Sequence, residues 1–309
     1  MKKISVITGI YNEAEIVRDI YNQIKEVFTK LKESYDYEHI FMDNCSSDET
    51  VSILKSIASQ DKRVKILVYS KNFGLKSEMM GYRYSSGDAV IAFEGNLKDP
   101  ANLIPVFLKH WEEGYDVVYG VRTKTQDNFV LAFMRKAFYW LVNTLADEKL
   151  PQNAGVFRLV DRKVVDELVK LHDYKPYIRG LIASIGFKQI GIEYIRRARP
   201  KGKSKSSLGY LIDFAINAII SYSITPIRLC TYIGLGLASL SFLTAFIYLV
   251  LKLFFQRPKI PAVAAVIILI LMFSGIQLFF LGIIGEYVGA IHSQVREKPF
   301  VIIKEKINF

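Results

Sequence analysis

Two uncharged runs constrain this chain more than any other feature. From Leu229 to Leu251 and from Ile260 to Gly285 there is no Asp, Glu, Lys or Arg. Each run reaches the ~20 apolar residues that a helix needs to cross a ~30 Å hydrocarbon core. A helix is the natural form there, because it satisfies its backbone hydrogen bonds within one segment. A buried hairpin of two core helices would need a much larger domain to wrap it than this chain of 309 residues provides. The expectation is two transmembrane helices, at 229–251 and 260–285.

The remainder is of another kind. Hydrophobic residues make up 51% of the chain and charged residues 23%, which excludes disorder and collagen-like repeats. The first two-thirds carries charge at the density of a soluble domain, so a wholly membranous transporter is excluded as well. The expected organisation is a soluble domain at 1–207, an interfacial amphipathic segment at 208–228, the two spans, and a tail at 286–309. Cys45 and Cys230 are the only cysteines and lie far apart, so neither a disulfide framework nor a Cys-x-x-Cys metal site is expected. Met1-Lys2-Lys3 passes directly into the strand-like Ile4-Ser5-Val6-Ile7, without the apolar core of a cleavable signal peptide.

Net charge is +11, which suits nucleic acid or an anionic membrane equally well. Location separates the two. Arg196, Arg197, Arg199, Lys201, Lys203 and Lys205 cluster shortly before the first span. Such juxtamembrane clusters favour an anionic leaflet by about 1 kcal/mol per charge. With no aromatic-interleaved RNA-binding motif, the expected partner is a membrane and not nucleic acid. Arg228, Arg296, Lys298, Lys304 and Lys306 flank the outer ends of the spans, against Lys252, Arg257 and Lys259 between them. The positive-inside bias then places both termini in the cytoplasm of a multi-pass cell-membrane protein.

Within the first domain, strand-like and helix-like periodicities alternate. Residues 4–8, 39–42, 64–68, 88–93 and 116–119 read as strands, and 13–31, 50–59, 76–85 and 103–111 as helices. This pattern predicts an α/β fold with a mostly parallel sheet and helices on both faces. Ligands of such sheets bind beyond the carboxyl ends of the strands. Three polar groups fall there: Tyr11-Asn12-Glu13, Asp43-Asn44, and Glu94-Gly95-Asn96 with Asp99. Each alone has an ordinary reading as a turn or helix cap; their recurrence at equivalent strand ends points to a site. Residues 128–147 and 208–227 read as amphipathic helices suited either to core packing or to a membrane surface.

Ile7-Thr8-Gly9-Ile10-Tyr11-Asn12-Glu13, Met42-Asp43-Asn44-Cys45-Ser46-Ser47-Asp48, Lys71-Asn72-Phe73-Gly74 and Leu97-Lys98-Asp99-Pro100 together resemble the family-2 glycosyltransferases. Phe157-Arg158-Leu159, Gly202-Lys203-Ser204-Lys205 and the paired spans ending Gly285-Glu286-Tyr287-Val288-Gly289 narrow the resemblance to the polyprenyl-phosphate branch. That branch includes dolichol-phosphate mannose synthases and bactoprenol glucosyltransferases. The resemblance implies a GT-A-like (Rossmann-like) domain that moves one sugar, with inversion, from a nucleotide sugar to a polyprenyl phosphate. It also implies a homo-oligomer, a tetramer in the family. By the same resemblance Gly9, Tyr11, Glu13, Asp43 and Lys71 hold the donor, and Arg122, Arg135, Arg196, Arg199 and Lys205 hold phosphate. Glu94, Asn96 and Arg122 fall on catalytic positions, and Glu94 and Asn96, with Asp99 nearby, on those that bind a divalent metal, Mg²⁺ or Mn²⁺.

Two departures stand out. The family's Asp-x-Asp is here Glu94-Gly95-Asn96, one carboxylate fewer, which weakens the expected metal binding. The family often has an acid before the Phe-Arg-Leu run, and here the residue is Val156. A phosphate monoester has a second pKa near 6, so the acceptor is largely ionised at neutral pH without a base. The altered metal slot leaves a second reading open, a membrane scaffold that binds nucleotide sugar or lipid phosphate without turnover. A processive polysaccharide synthase is not expected, because its Gln-x-x-Arg-Trp motif and further membrane helices are missing.

Overall fold

A computed structural model of the protein describes residues 1–74, 76–124, 154–171, 173, 176–195, 225–255, 262–296 and 301–309. The strands are β1 (Lys2–Ile10), β2 (Tyr35–Asp43), β3 (Val64–Tyr69), β4 (Ala89–Ala92), β5 (Val117–Lys124), β6 (Ala154–Asp161), β7 (Gln189–Ile195) and β8 (Ile303–Ile307). They form one sheet in the order β7-β5-β6-β4-β1-β2-β3-β8. β1 is parallel to β2 and β4, β2 to β3, and β5 to β7. β6 is antiparallel to β4 and β5, and β8 to β3, so the sheet is mixed around a parallel centre.

Among the described residues of this unit the α-helices are α1 (Val17–Lys30), α2 (Thr50–Gln60), α3 (Lys76–Tyr84), α4 (Ile104–Glu112), α5 (Arg162–Leu168) and α6 (Ile178–Ser184). Their ends follow local chemistry. Asp48 accepts the Thr50 N–H at 3.0 Å where α2 begins. Asp161 caps α5 through the Lys163 N–H at 2.9 Å. Pro105 stands in the first turn of α4, where a missing N–H removes no intrahelical bond.

Apolar side chains cover both faces of the sheet, which is why the central strands read as continuous hydrophobic runs. Ile4, Val6, Phe41, Ile91 and Phe157 meet Ile20, Ile24 and Phe107 on one face. Ile7, Ile40, Met42, Leu67 and Val160 meet Met79, Tyr82 and Val164 on the other. Fully burying a side chain of this kind is favourable by about 1.5–3 kcal/mol, so the two cores fix the strand register and hence the positions of the strand ends.

A second unit holds α7 (Thr225–Phe255, 31 residues) and α8 (Ala262–Val295, 34 residues). Within them, Thr225–Leu243 and Phe273–Val295 are long and apolar enough to cross a membrane. Their apolar side chains, such as Leu235, Phe242, Leu278 and Phe279, are more than half exposed, unlike those of a soluble core. The segment expected to be helical at 128–147, the basic cluster at 196–205 and the interfacial residues 208–224 lie outside the described residues.

Candidate active site

The carboxyl ends of β1 and β2 are tied by short side chains. The Asn12 N–H donates to Ser46 Oγ at 2.8 Å, and Asn12 Oδ1 accepts the Ser47 N–H at 2.8 Å. Ser46 in turn donates through its N–H (3.0 Å) and its hydroxyl (2.5 Å) to Asp43, whose carboxylate is fully buried. Asp43 therefore organises the loop after β2 whatever else it does. Asn44 continues the chain of contacts: its amide donates to Ser77 Oγ at 2.9 Å and its oxygen accepts the Phe73 N–H at 3.3 Å. This brings Gly9, Tyr11, Glu13 and Asp43 to one strand-end region and sets the Lys71–Gly74 loop beside it. Tyr11 is 36% exposed, and the Glu13 N–H is held by Thr50 Oγ1 at 2.9 Å. Lys71 is exposed, with its ammonium 5.2 Å from the Phe73 ring.

A second network stands at the end of β4. Glu94 Oε1 pairs with Arg122 Nη2 at 2.9 Å, and the Asn96 amide donates to Glu94 Oε2 at 2.5 Å. Arg122 Nε reaches the Tyr194 hydroxyl at 3.4 Å, and that hydroxyl donates to the buried Asp99 at 2.5 Å. Burial works against the Arg122 charge, but Glu94, Tyr194 and Asp99 more than compensate and hold the guanidinium ionised. Burial and then the Asp99 carboxylate raise the Tyr194 phenol above its ordinary range, keeping it a hydrogen-bond donor.

Glycines allow this approach. A Cβ at Gly95 would stand 2.5 Å from the Gly9 carbonyl oxygen, so the Glu94 loop packs directly on the end of β1. A Cβ at Gly155 would stand 2.5 Å from Arg122 Nη2, so the guanidinium lies where a side chain on β6 would be. Arg158, itself buried, donates to the Gly155 and Val156 carbonyls at 2.7 and 3.3 Å, and Arg179 donates to that of Ala154 at 3.0 Å. Three guanidiniums thus converge on residues 154–156, at the edge where the parallel strands end. Backbone conformation is unusual at the same edge: Asn12, Cys45 and Leu97 adopt φ of 52°, 64° and 57°.

Of the residues expected from sequence, Glu94, Asn96, Arg122 and Asp99 form one connected network, and Gly9, Tyr11, Glu13, Asp43 and Lys71 stand on the neighbouring strand-end loops. Arg135, Arg196, Arg199 and Lys205 lie outside the described residues. Asn96 serves as a hydrogen-bond linker, its oxygen accepting the Lys98 N–H at 3.0 Å. Asp99 is directed to Tyr194. Among the described residues no three His, Cys, Asp or Glu side chains form a ready metal cage. Sequence reasoning assigned no role to Tyr194, Gly155, Arg158, Arg179 and Ser46, although Arg158 and Ser46 lie within the motifs that carry the resemblance. The Asp-x-x-Ser spacing of Asp43 and Ser46 is the one local signal that could have identified a member of this set.

A sequence model described as glycosyl transferase family 2 matches residues 5–169. An uncharacterized glycosyltransferase, YkcC, of Bacillus subtilis is 37% identical over 303 residues, covering 97% of this chain and 93% of the relative. A prophage-derived bactoprenol glucosyl transferase of Shigella flexneri is 34% identical over 305 residues, covering 98% of both. Among solved structures, a mannosyltransferase of Pyrobaculum calidifontis in complex with GDP-Man and Mn²⁺ resembles the chain with a TM-score of 0.47 and 15% identity, over 96% of this chain and 88% of that one.

Proposed function

Since the chain belongs to glycosyl transferase family 2 and is a glycosyltransferase, we propose that it transfers a single sugar from a nucleotide sugar to a polyprenyl phosphate at the cytoplasmic membrane face. The observation that carries this reading is the Glu94–Arg122 pair at the ends of the parallel strands, in a chain that also holds two helices of membrane-spanning length. The bactoprenol glucosyl transferases similar over the full chain support a lipid phosphate as acceptor. The open apolar groove between α7 and α8, lined by Leu237, Phe273, Ile276 and Phe280 among others, is consistent with a lipid acceptor.

In this reading the strand-end loops bearing Tyr11, Glu13, Asp43 and Lys71 hold the nucleotide. Arg122, supported by the positive charge of Arg158 and Arg179 nearby, draws the acceptor phosphate in. With Val156 on β6, that position supplies no carboxylate to act as base. An ionised phosphate oxygen attacks the anomeric carbon from the face opposite the leaving diphosphate, which inverts the centre. The bond to the diphosphate breaks as the new C–O bond forms.

A divalent ion, when bound, would neutralise the leaving diphosphate. Glu94 is the half-buried carboxylate placed to hold it, with phosphate oxygens and water completing the shell. Asn96 fixes the Glu94 carboxylate in position.

β8 supports the membrane topology. It is a strand of the same sheet as β1, yet it follows α8 in sequence, which fits a reading in which both flanks of the two apolar helices lie on one side of the membrane. The helices then cross as a hairpin.

The test is a donor screen with undecaprenyl phosphate and the full chain in membranes, with product mass measured. One sugar added per lipid, dependent on Mg²⁺ or Mn²⁺, is the expected outcome. Binding of nucleotide sugar without any lipid product would overturn the reading in favour of a scaffold.

A further inference from the structure

Residues that follow the last membrane helix complete the nucleotide-binding half of the sheet. β8 pairs along β3, with Ile307 opposite Ile66, Glu305 opposite Val68 and Ile303 opposite Tyr69. The pairing continues one step further, as the Ser70 N–H donates to the Ile302 carbonyl at 3.0 Å. The next residue is Lys71, the first of the Lys71–Gly74 loop. Contacts at the far end anchor the segment: Asn308 donates to the Ala58 and Val64 carbonyls at 2.8 Å each, and the Phe309 ring meets Tyr84 edge-on at 5.5 Å. Lys55 and Glu305 pair at 2.7 Å.

Side chains carry the contact into the loop. Val301 and Ile303 pack into the core cluster that holds Tyr69, with Phe73 against the same cluster. Tyr69 meets the Phe73 ring edge-on at 6.2 Å and donates its hydroxyl to the Ser77 carbonyl at 3.0 Å, across the base of the loop. Phe73 is bonded to Asn44, beside Asp43. An unbroken set of contacts therefore runs from the chain end, through Tyr69 and Ser70, to the loops read above as holding the nucleotide.

We propose that Val301–Phe309 is a positioning strap for the Lys71–Gly74 loop, so that donor affinity depends on residues after the second membrane helix. The mechanism is strand addition: main-chain bonds fix the register and alternate side chains fill the core. Without the strap, β3 would become the sheet edge, and Tyr69 and Phe73 would lose the apolar neighbours that set the loop's geometry. The charges on Lys304, Glu305 and Lys306 keep the outer edge of β8 from recruiting another strand. This inference rests on the reading of that loop as part of the donor site.

The experiment uses the full chain in detergent micelles, a chain ended after Pro299, and the full-chain double variant Val301→Ala/Ile303→Ala. Affinity for UDP and GDP as probes is measured by calorimetry, and KM for donor and for lipid by kinetics. Ending the chain should weaken nucleotide binding and raise the donor KM severalfold, while the lipid KM stays nearly unchanged. A synthetic peptide, Phe300–Phe309, added to the shortened chain should restore nucleotide affinity, whereas a scrambled peptide should not. The double variant should shift donor KM in the same direction by a smaller factor, which keeps the test open if the shortened chain fails to fold. Unchanged donor KM in the double variant, or equal losses for donor and lipid, would overturn the strap. Lys71→Ala in the full chain separates the two readings. If it weakens nucleotide binding while the strap variants do not, the strap fails alone; if it has no effect, the loop assignment fails and the strap proposal with it.

Discussion

Glu38 and Glu94 are carboxylates withdrawn from water at opposite ends of the same sheet, and their partners differ in kind. Glu38, 2% exposed, accepts from Ser5 Oγ at 2.6 Å and from the Ser86 N–H at 2.7 Å, and pairs with Lys65 and Lys3 at 2.8 and 3.1 Å. These partners come from β1, β3 and the turn before β4, so the carboxylate ties strand beginnings together. Glu94, 18% exposed, pairs with the Arg122 guanidinium and accepts from the Asn96 amide, both at the end where loops leave the sheet. A carboxylate enclosed by neighbours from several strands is bound to the fold. One paired with an arginine at the end where loops leave the sheet can exchange that partner for a ligand's charge.

The largest test of this contrast exchanges the roles. Glu94→Ala should lower kcat/KM by about 10²–10³-fold, the scale for removing a group that acts on transition-state charge, with a smaller loss of stability than Glu38→Gln because the Glu94–Arg122 pair is partly open to solvent. Glu38→Gln should do the reverse: activity near that of the unmodified chain, and a stability loss of about 3 kcal/mol from breaking a buried ionic network. Kinetics and thermal unfolding measured on both variants decide the matter. Equal loss of activity in the two would erase the distinction.

Acid sharpens it. Burial alone would raise the Glu38 pKa, but hydrogen bonds from Lys65, Ser5, Ser86 and Lys3 prevail and hold it at about 2, below its ordinary 4.5. A depressed carboxylate adds stability that is present in full above its unfolded pKa and is lost as pH falls through the folded value. The contribution of Glu38, about 3 kcal/mol, should therefore decline between pH ~4.5 and ~2. Circular dichroism in denaturant across that range should show the decline in the unmodified chain and a flatter profile in Glu38→Gln. Equal slopes would mean that other carboxylates dominate acid unfolding.

A smaller effect is expected at Gly155. Its missing side chain leaves the space that the Arg122 guanidinium fills. Gly155→Ala should push that flexible head aside and loosen its pairing with Glu94, at a cost of about tenfold in kcat/KM, since a charge-assisted contact is worth about 1.5–3 kcal/mol. Unfolding temperature should change little, because the clash is with the end of a side chain. An unfolding shift with unchanged kinetics would assign Gly155 to the structural end of the comparison.

Much of this was legible in the sequence where local pattern decides. The first five strands and four helices follow from apolar periodicity, and the strand-end polar groups follow from the alternation. β6 was hidden because its centre, Phe157-Arg158-Leu159, carries an arginine that reads as surface and is in fact buried against carbonyls of its own strand. β8 was hidden for a different reason. Its sequence, Ile303-Lys304-Glu305-Lys306-Ile307, is mostly charged and reads as a tail, and it becomes a strand only by pairing with residues more than 230 positions earlier. Tyr194 escaped notice because its role arises from the neighbour relation between β5 and β7, which no local window contains.

The left-handed backbone at Asn12, Cys45 and Leu97 has a consequence for heat resistance. None of the three is glycine, and each such conformation costs of order 1–3 kcal/mol, sustained only while its surroundings enforce it. All three stand on loops leaving the same edge of the sheet, so the chain concentrates its conformational tension at the proposed site. Selection for thermostability alone would relax these positions toward glycine, and a chain so altered would tolerate more heat with loops less firmly set for catalysis.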